Sequence, residues 1–214
     1  MNVLTDNWGT YWDGFVGTIE LTAVAAVLAL VAGILVAACR VSPVAPLRVF
    51  GAVWVNVLRN TPLTLLFFAV VLGMPRFGIV LPFFVFAVLA LGFYTSAFIC
   101  EAVRSGVNTV PAGQGEAARS LGMTFGQTLQ LVVMPQAFRT VIPPIGSTLI
   151  ALAKNSAIAG SFSVVELLGT YRTVNELGFS IVWTFVWIAA GYLLVTLTIS
   201  AVFRELERRW AVAR

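Results

Sequence analysis

Apolar residues run along this chain in blocks long enough to cross a bilayer. From Phe77 to Cys100 there is no charged residue, with Arg76 standing just before, and Leu177 to Phe203 is equally free of charge. Each block matches the about 20 apolar residues that span a hydrocarbon core. The full pattern predicts five membrane spans, over 14–38, 47–73, 79–103, 136–156 and 178–203. The fourth is the weakest, because its uncharged part lies only between Arg139 and Lys154 and contains Pro143 and Pro144. Two adjacent prolines predict a kink, which membrane helices tolerate where neighbours satisfy the freed carbonyls. The expected fold class is therefore an all-α integral membrane protein, built as a single domain over residues 1–214.

Between the third and fourth spans lies the longest polar stretch, Arg104 to Gly122, followed by Met123 to Pro135. In the second part Phe125, Leu129, Val132 and Val133 recur at helical spacing while Gln127, Thr128 and Gln130 fall elsewhere, which predicts an amphipathic connector at an interface. No low-complexity tract, linker or internal repeat divides the chain.

Composition agrees with this pattern. Hydrophobic residues make up 59% of the chain and charged residues 10%, against roughly 25% charged in a soluble domain. The spans use most of the length, so no separate water-soluble catalytic module fits. The net charge of +4 does not call for nucleic acid, because cytoplasmic loops of membrane proteins carry an excess of Arg and Lys. With the N-terminus outside, Arg40, Arg48, Arg104, Arg119, Arg139, Arg204, Arg208, Arg209 and Arg214 fall on or near the cytoplasmic side, while Arg76 and Arg172 stay outside. This predicts an N-out, C-in topology. Asp6 and Asp13 without a nearby Lys or Arg argue against a cleavable signal, so the first apolar run is expected to remain.

The chemistry of catalysis is thin. There is no histidine, and Cys39 and Cys100 stand singly at the ends of apolar runs. Zinc spacing and Ser-His or Cys-His pairs are thus unsupported, and no catalytic or metal-ligating residue is assigned.

The loop segment from Gln114 through Glu116, Ala117, Ala118, Arg119 and Leu121 to Gly122 carries the most specific signal. Good helix formers from Glu116 to Leu121 make about one and a half turns, and Gly122 supplies the positive φ that stops them. A short helix, a sharp corner and a second helix follow, with Ala117 and Ala118 offering a low surface beside polar Glu116 and Arg119. Pro135 lies thirteen residues after the glycine. This pattern resembles the EAA loop of ABC importer permeases.

Further matches extend the resemblance over nearly the whole chain. Arg59-Asn60-Thr61-Pro62-Leu63 is similar to a motif of the polar amino acid permease subfamily, as are Tyr94 through Glu101, Arg104 and Gly106, and Leu149 through Lys154, Asn155 and Ser156. The resemblance implies a type I importer permease fold with five spans and a coupling loop over about 104–135, in a bacterial cell membrane. It implies partners: a cytoplasmic ABC ATPase dimer, a second permease subunit, different or identical, and an extracytoplasmic substrate-binding protein. ATP and Mg would belong to the ATPase. Consistently, no GxxxxGK(S/T) loop occurs here, so this chain is expected to bind no cofactor and to hydrolyse nothing.

Ionisable residues inside a membrane usually face a cavity or a partner, which singles out Arg59, Glu101 and Lys154. Arg59 lies about 18 Å into the second span at 1.5 Å per residue, and Pro62 after it removes a backbone donor that would free the carbonyls of Arg59 to Thr61 for a pathway. Arg59 has three readings: a substrate carboxylate contact, an interhelical pair with Glu101, or a contact to a partner subunit. Lys154 either snorkels to headgroups or joins Asn155 and Ser156 in the pathway. The Arg59 to Thr64 and Lys154 to Ser156 combinations most resemble glutamate importer permeases, with glutamine or another polar amino acid as the alternative. Two other classes compete. A secondary carrier would suit proline-broken spans but calls for inverted repeats, and a membrane-embedded enzyme needs convergent nucleophile, base or metal ligands.

Overall fold

The computed structural model describes residues 3–210, so Arg214 lies outside the described residues. A short helix α1 (Val3–Asp6) precedes α2 (Trp8–Val41), and the chain then turns into α3 (Ala45–Asn60) and α4 (Leu63–Phe68). The long α5 (Phe83–Asn108) leads to the loop helices α6 (Ala112–Ser120) and α7 (Phe125–Thr128). Then come α8 (Met134–Asn155), the short α9 (Thr170–Glu176) and α10 (Ile181–Trp210). Helices long and apolar enough to cross a membrane number four among the described residues, or five when α3 and the 63–77 segment count as one bent span. The all-helical, five-span expectation is borne out. The end of the bundle where α2 begins is called the amino end below, and the end bearing α6 and α7 the loop end.

The helix bounds depart from the pattern read off hydropathy. The predicted span 47–73 is not one rod: Ala45–Asn60 and Leu63–Phe77 meet at 105°. Pro62 explains the break, because its ring excludes the preceding residue from helical conformation. Thr61 accordingly takes φ −96°, ψ 129°. The carbonyls capped at this break belong to Asn56, which accepts from Asn60 Nδ2 at 2.7 Å, and Val57, which accepts from Thr61 Oγ1 at 2.8 Å. The predicted span 136–156 coincides with α8, and helical structure continues on both sides of it, from Phe125 to Phe162. A π-helical turn at Leu129–Val133 joins α7 to α8. Pro143 and Pro144 both lie inside α8, which runs unbroken from Met134 to Asn155. The first span, expected over 14–38, extends in both directions to Trp8 and Val41.

Helix α5 lies at the centre: 61% of its most apolar window is buried, against 17% for α10. Without a hydrophobic drive between helices in lipid, close contact depends on small residues. Gly33 of α2 supplies one such contact, for a Cβ there would meet Ile99 Cβ of α5 at 2.6 Å. The main apolar cluster joins Leu21, Phe67, Phe86, Leu91 and Leu152. A second holds Tyr11, Leu167, Val174 and Ile188 at the amino end.

Outward-facing apolar side chains such as Val27, Leu35, Leu193 and Leu197 clothe the periphery, as a lipid-facing surface requires. Exposed Trp8 and Trp12 stack at 6.1 Å, consistent with an aromatic belt. Trp54, by contrast, is tied inward, donating its indole N–H to Ser96 Oγ at 3.0 Å.

Candidate functional site

Toward the loop end, α2, α3 and α5 meet at one carboxylate. Glu101 of α5 accepts from Arg40 Nη1 at the end of α2 through Oε1, and from Arg104 Nη2 through Oε2 at 2.8 Å. Arg59 Nη1, at the end of α3, stands 3.9 Å from the same Oε2. That distance is an ion pair rather than a hydrogen bond. The Arg59 guanidinium also lies over the Phe98 ring, 5.2 Å from its centroid, a cation–π contact. Three guanidiniums therefore share one carboxylate, whose two oxygens are already engaged by Arg40 and Arg104. Arg59 is the most loosely held of the three and the most exposed, at 43% of its side chain.

Of the alternatives open for Arg59, pairing with Glu101 is thus present in this conformation, but it is weak enough to leave the cation available. Arg40 and Arg104 enter the sequence reading as orientation and motif residues only. The i,i+3 spacing of Glu101 and Arg104 is the signal that pairs the latter; nothing local points from Glu101 to Arg40, sixty-one residues away.

The second group of candidates closes α8 at the amino end. Lys154 is exposed, Asn155 half-buried and Ser156 fully buried, with Ser156 Oγ donating to the Ala153 carbonyl at 2.8 Å. Asn60 is exposed and Thr61 half-buried. Leu63 and Leu152, neighbours of the two motifs, pack in one apolar cluster. The Arg59 to Thr61 and Lys154 to Ser156 segments thus flank a shared core, although no hydrogen bond or ion pair joins them among the described residues.

At the loop end the helix–corner–helix expectation takes concrete form. Gly122 has φ +84°, its N–H donates to Arg119 O at 2.9 Å, and Met123 N–H donates to Ala118 O at 3.2 Å. This pair of bonds is a Schellman stop. Two residues on, Thr124 starts α7 with a reciprocal capping box to Gln127, at 2.9 and 3.3 Å. The low surface predicted from Ala117 and Ala118 divides in two. Ala118 packs inward, while Ala117, Glu116 and Arg119 face out. Leu121 and Phe125, 84% and 76% exposed, add apolar contact area that the motif alone does not reveal.

No motif singles out Glu166, yet it is completely buried. Tyr192 of α10 and the backbone of its own turn donate to it.

The described residues form a bundle of membrane-length helices with an exposed helical corner at one end. The chain belongs to the family described as "Binding-protein-dependent transport system inner membrane component", whose model matches residues 29–212. It is a multi-pass inner-membrane permease subunit rather than an enzyme, and ATP hydrolysis belongs to a separate ATPase.

Among its relatives, a probable glutamine ABC transporter permease of Bacillus subtilis (strain 168) is 36% identical, with 98% of this chain and 97% of the relative covered. A glutamate transport system permease of Corynebacterium glutamicum is 40% identical over 92% of each chain. Among solved structures, a crystal structure of an amino acid ABC transporter with histidines superposes with a TM-score of 0.91 at 30% identity, covering 96% of both chains. An inward-facing MetNI methionine ABC transporter shares the fold, with a TM-score of 0.79 at 19% identity over 96% of this chain and 98% of that one.

Proposed function

We propose that this chain is the membrane-spanning subunit of an ATP-driven importer of amino acids, and that glutamate is its cargo. The observation that carries the cargo is the charge balance at Glu101: one carboxylate faces three guanidiniums, so an arriving anion meets a surplus of positive charge. Arg59 is the group to receive it, because its bond to Glu101 is the longest and its side chain the most open. Lys154, Asn155 and Ser156, together with Asn60 and Thr61, line the rest of the route. The relative from C. glutamicum supports glutamate; the relative from B. subtilis makes glutamine the alternative.

In this reading the N-terminus faces outside and the loop end faces the cytoplasm. Glu116, Ala117, Ala118, Arg119 and Gly122 form the coupling helix and its stop, with Leu121 and Phe125 beside them. A cytoplasmic ATPase dimer holds ATP and Mg and seats against this corner. When nucleotide draws the ATPase halves together, the corner moves and α5 transmits the movement to the Glu101 cluster, turning the cavity from one side to the other. A second permease subunit, preferably a different one, completes the cavity, and an extracytoplasmic binding protein delivers the cargo.

The test is uptake by the complete complex in proteoliposomes, with glutamate, aspartate, glutamine and arginine in competition. Glutamate should compete best. Arg59→Ala should raise the KM for glutamate about tenfold or more, as expected for loss of a charge-assisted hydrogen bond, and should affect glutamine less. Glu116→Lys should leave capture by the binding protein intact while separating ATP hydrolysis from uptake. Movement of glutamate by the purified chain alone, down an ion gradient, would refute the proposal in favour of a secondary carrier.

A further inference from the structure

Glu166 stands in the turn between the 3-10 segment Ser156–Phe162 and α9, with 0% exposure. Its Oε1 accepts from Gly169 N–H at 2.6 Å, and its Oε2 accepts from Leu168 N–H at 2.8 Å and from the Tyr192 hydroxyl. A buried carboxylate is tolerated when it is hydrogen-bonded, and here three donors serve it without a cation within ion-pair distance among the described residues. The same turn is bound to α2, where Thr18 Oγ1 accepts from Leu167 N–H at 3.0 Å. A Cβ on Gly17 of α2 would meet the Val165 carbonyl oxygen at 2.2 Å, and one on Gly14 would meet Thr170 Cγ2 at 2.4 Å and the Glu166 carbonyl oxygen at 3.1 Å. Leu167 and Val174 pack with Tyr11 of α2 and Ile188 of α10. The base of the segment 156–176 is therefore fastened to two long helices by both polar and apolar contacts.

Its tip is held differently. Phe162 stacks on Phe67 and meets Phe68 edge-on, each at 5.2 Å between ring centroids. Aromatic contacts of this kind part and re-form without stranding a donor or acceptor. Opening the base would instead leave a buried carboxylate and its donors unsatisfied. If the amino end opens, the weaker seam is the one between Phe162 and α4.

We infer that Glu166 is a positioning residue that locks the segment 156–176, and with it Ser156 at the end of α8, to α2 and α10, leaving Phe162 against Phe67 and Phe68 as the seam along which the amino end opens. The inference rests on the alternating-access transporter reading proposed above.

The test uses the complete transporter, with its ATPase, permease partner and binding protein, in proteoliposomes. In Glu166→Ala, ATP hydrolysis stimulated by the binding protein should persist while uptake per ATP falls about fivefold or more, with Tyr192→Phe shifted in the same direction by less. A simple folding defect would lower both activities together. If Glu166→Ala does not assemble, Glu166→Gln and Tyr192→Phe, which keep the side-chain volume, decide the matter. Wild-type uptake per ATP in both would overturn the inference.

Thiol labelling gives an independent reading once Cys39 and Cys100 are replaced by Ala. An impermeant maleimide should label Phe162→Cys more strongly in the vanadate-trapped complex. Val174→Cys should stay protected unless Glu166→Gln is also present. Labelling of Val174→Cys in step with Phe162→Cys, with Glu166 intact, would also overturn the inference. Failure of the transporter reading has a separate signature, since the unmodified complex then shows no ATP-driven uptake, while protection of Val174→Cys with and without Glu166→Gln still reports on the clamp.

Discussion

Glu101 shows how much one side chain can be asked to balance. Deleting it leaves Arg40, Arg59 and Arg104 facing one another without an acceptor. Loss of one partner of a buried pair costs about 3–5 kcal/mol, but these groups are 21–43% exposed, and solvent screening reduces the figure to about 1–3 kcal/mol. Glu101→Ala should therefore lower the unfolding temperature of the detergent-solubilised protein, and adding Arg40→Ala should recover part of the loss. A double substitution no more stable than the single one would show that the cluster does not carry the effect. Arg59 and Glu101 were legible in the sequence because a charge inside an apolar block is conspicuous. Glu166 was not, since it stands outside the longest apolar runs and its burial is produced by Tyr192 and, through the next residue, by Thr18, 149 positions from Leu167.

Among elements, the corner between α6 and α7 was the most readable, because its stop and start signals are local: Gly122 ends one helix and Thr124 begins the next. Nothing lies within 4 Å of a Cβ built on Gly122, so Gly122→Ala meets only the backbone penalty of the left-handed region, about 1–2 kcal/mol. Loss of the cap in Thr124→Ala should cost about 1 kcal/mol. Both should speed amide exchange in α6 and α7 while leaving exchange in α5 unchanged. Slower exchange at the corner, or a matching change throughout α5, would contradict the local account. Helix ends were less readable. Hydropathy marks where a chain can sit in hydrocarbon, whereas α2 continues past the apolar block to Trp8 and Val41. The two prolines of α8 are accommodated inside one unbroken helix, as membrane helices allow where neighbours support them.

For the molecule as a whole, the contrast between buried α5 and open α10 sets the surface left for lipid and, in the assembly proposed above, for a second subunit. A carbene reagent generated in the lipid phase should label Leu197 and Val27, 62% and 63% exposed, and spare fully buried Ile99. Residues of this surface that lose labelling when the transporter assembles will map the subunit contact; labelling of Ile99 equal to that of Leu197 would contradict the packing. The five-span plan was visible in one sequence, but the angle within the second span was not, since Pro62 announces a break without fixing its direction. That angle has a mechanical consequence. The elbow at Thr61 and Pro62 turns the chain through 105°, so a push delivered along the axis of α3 would arrive almost broadside to α4, loading it as a beam rather than as a column.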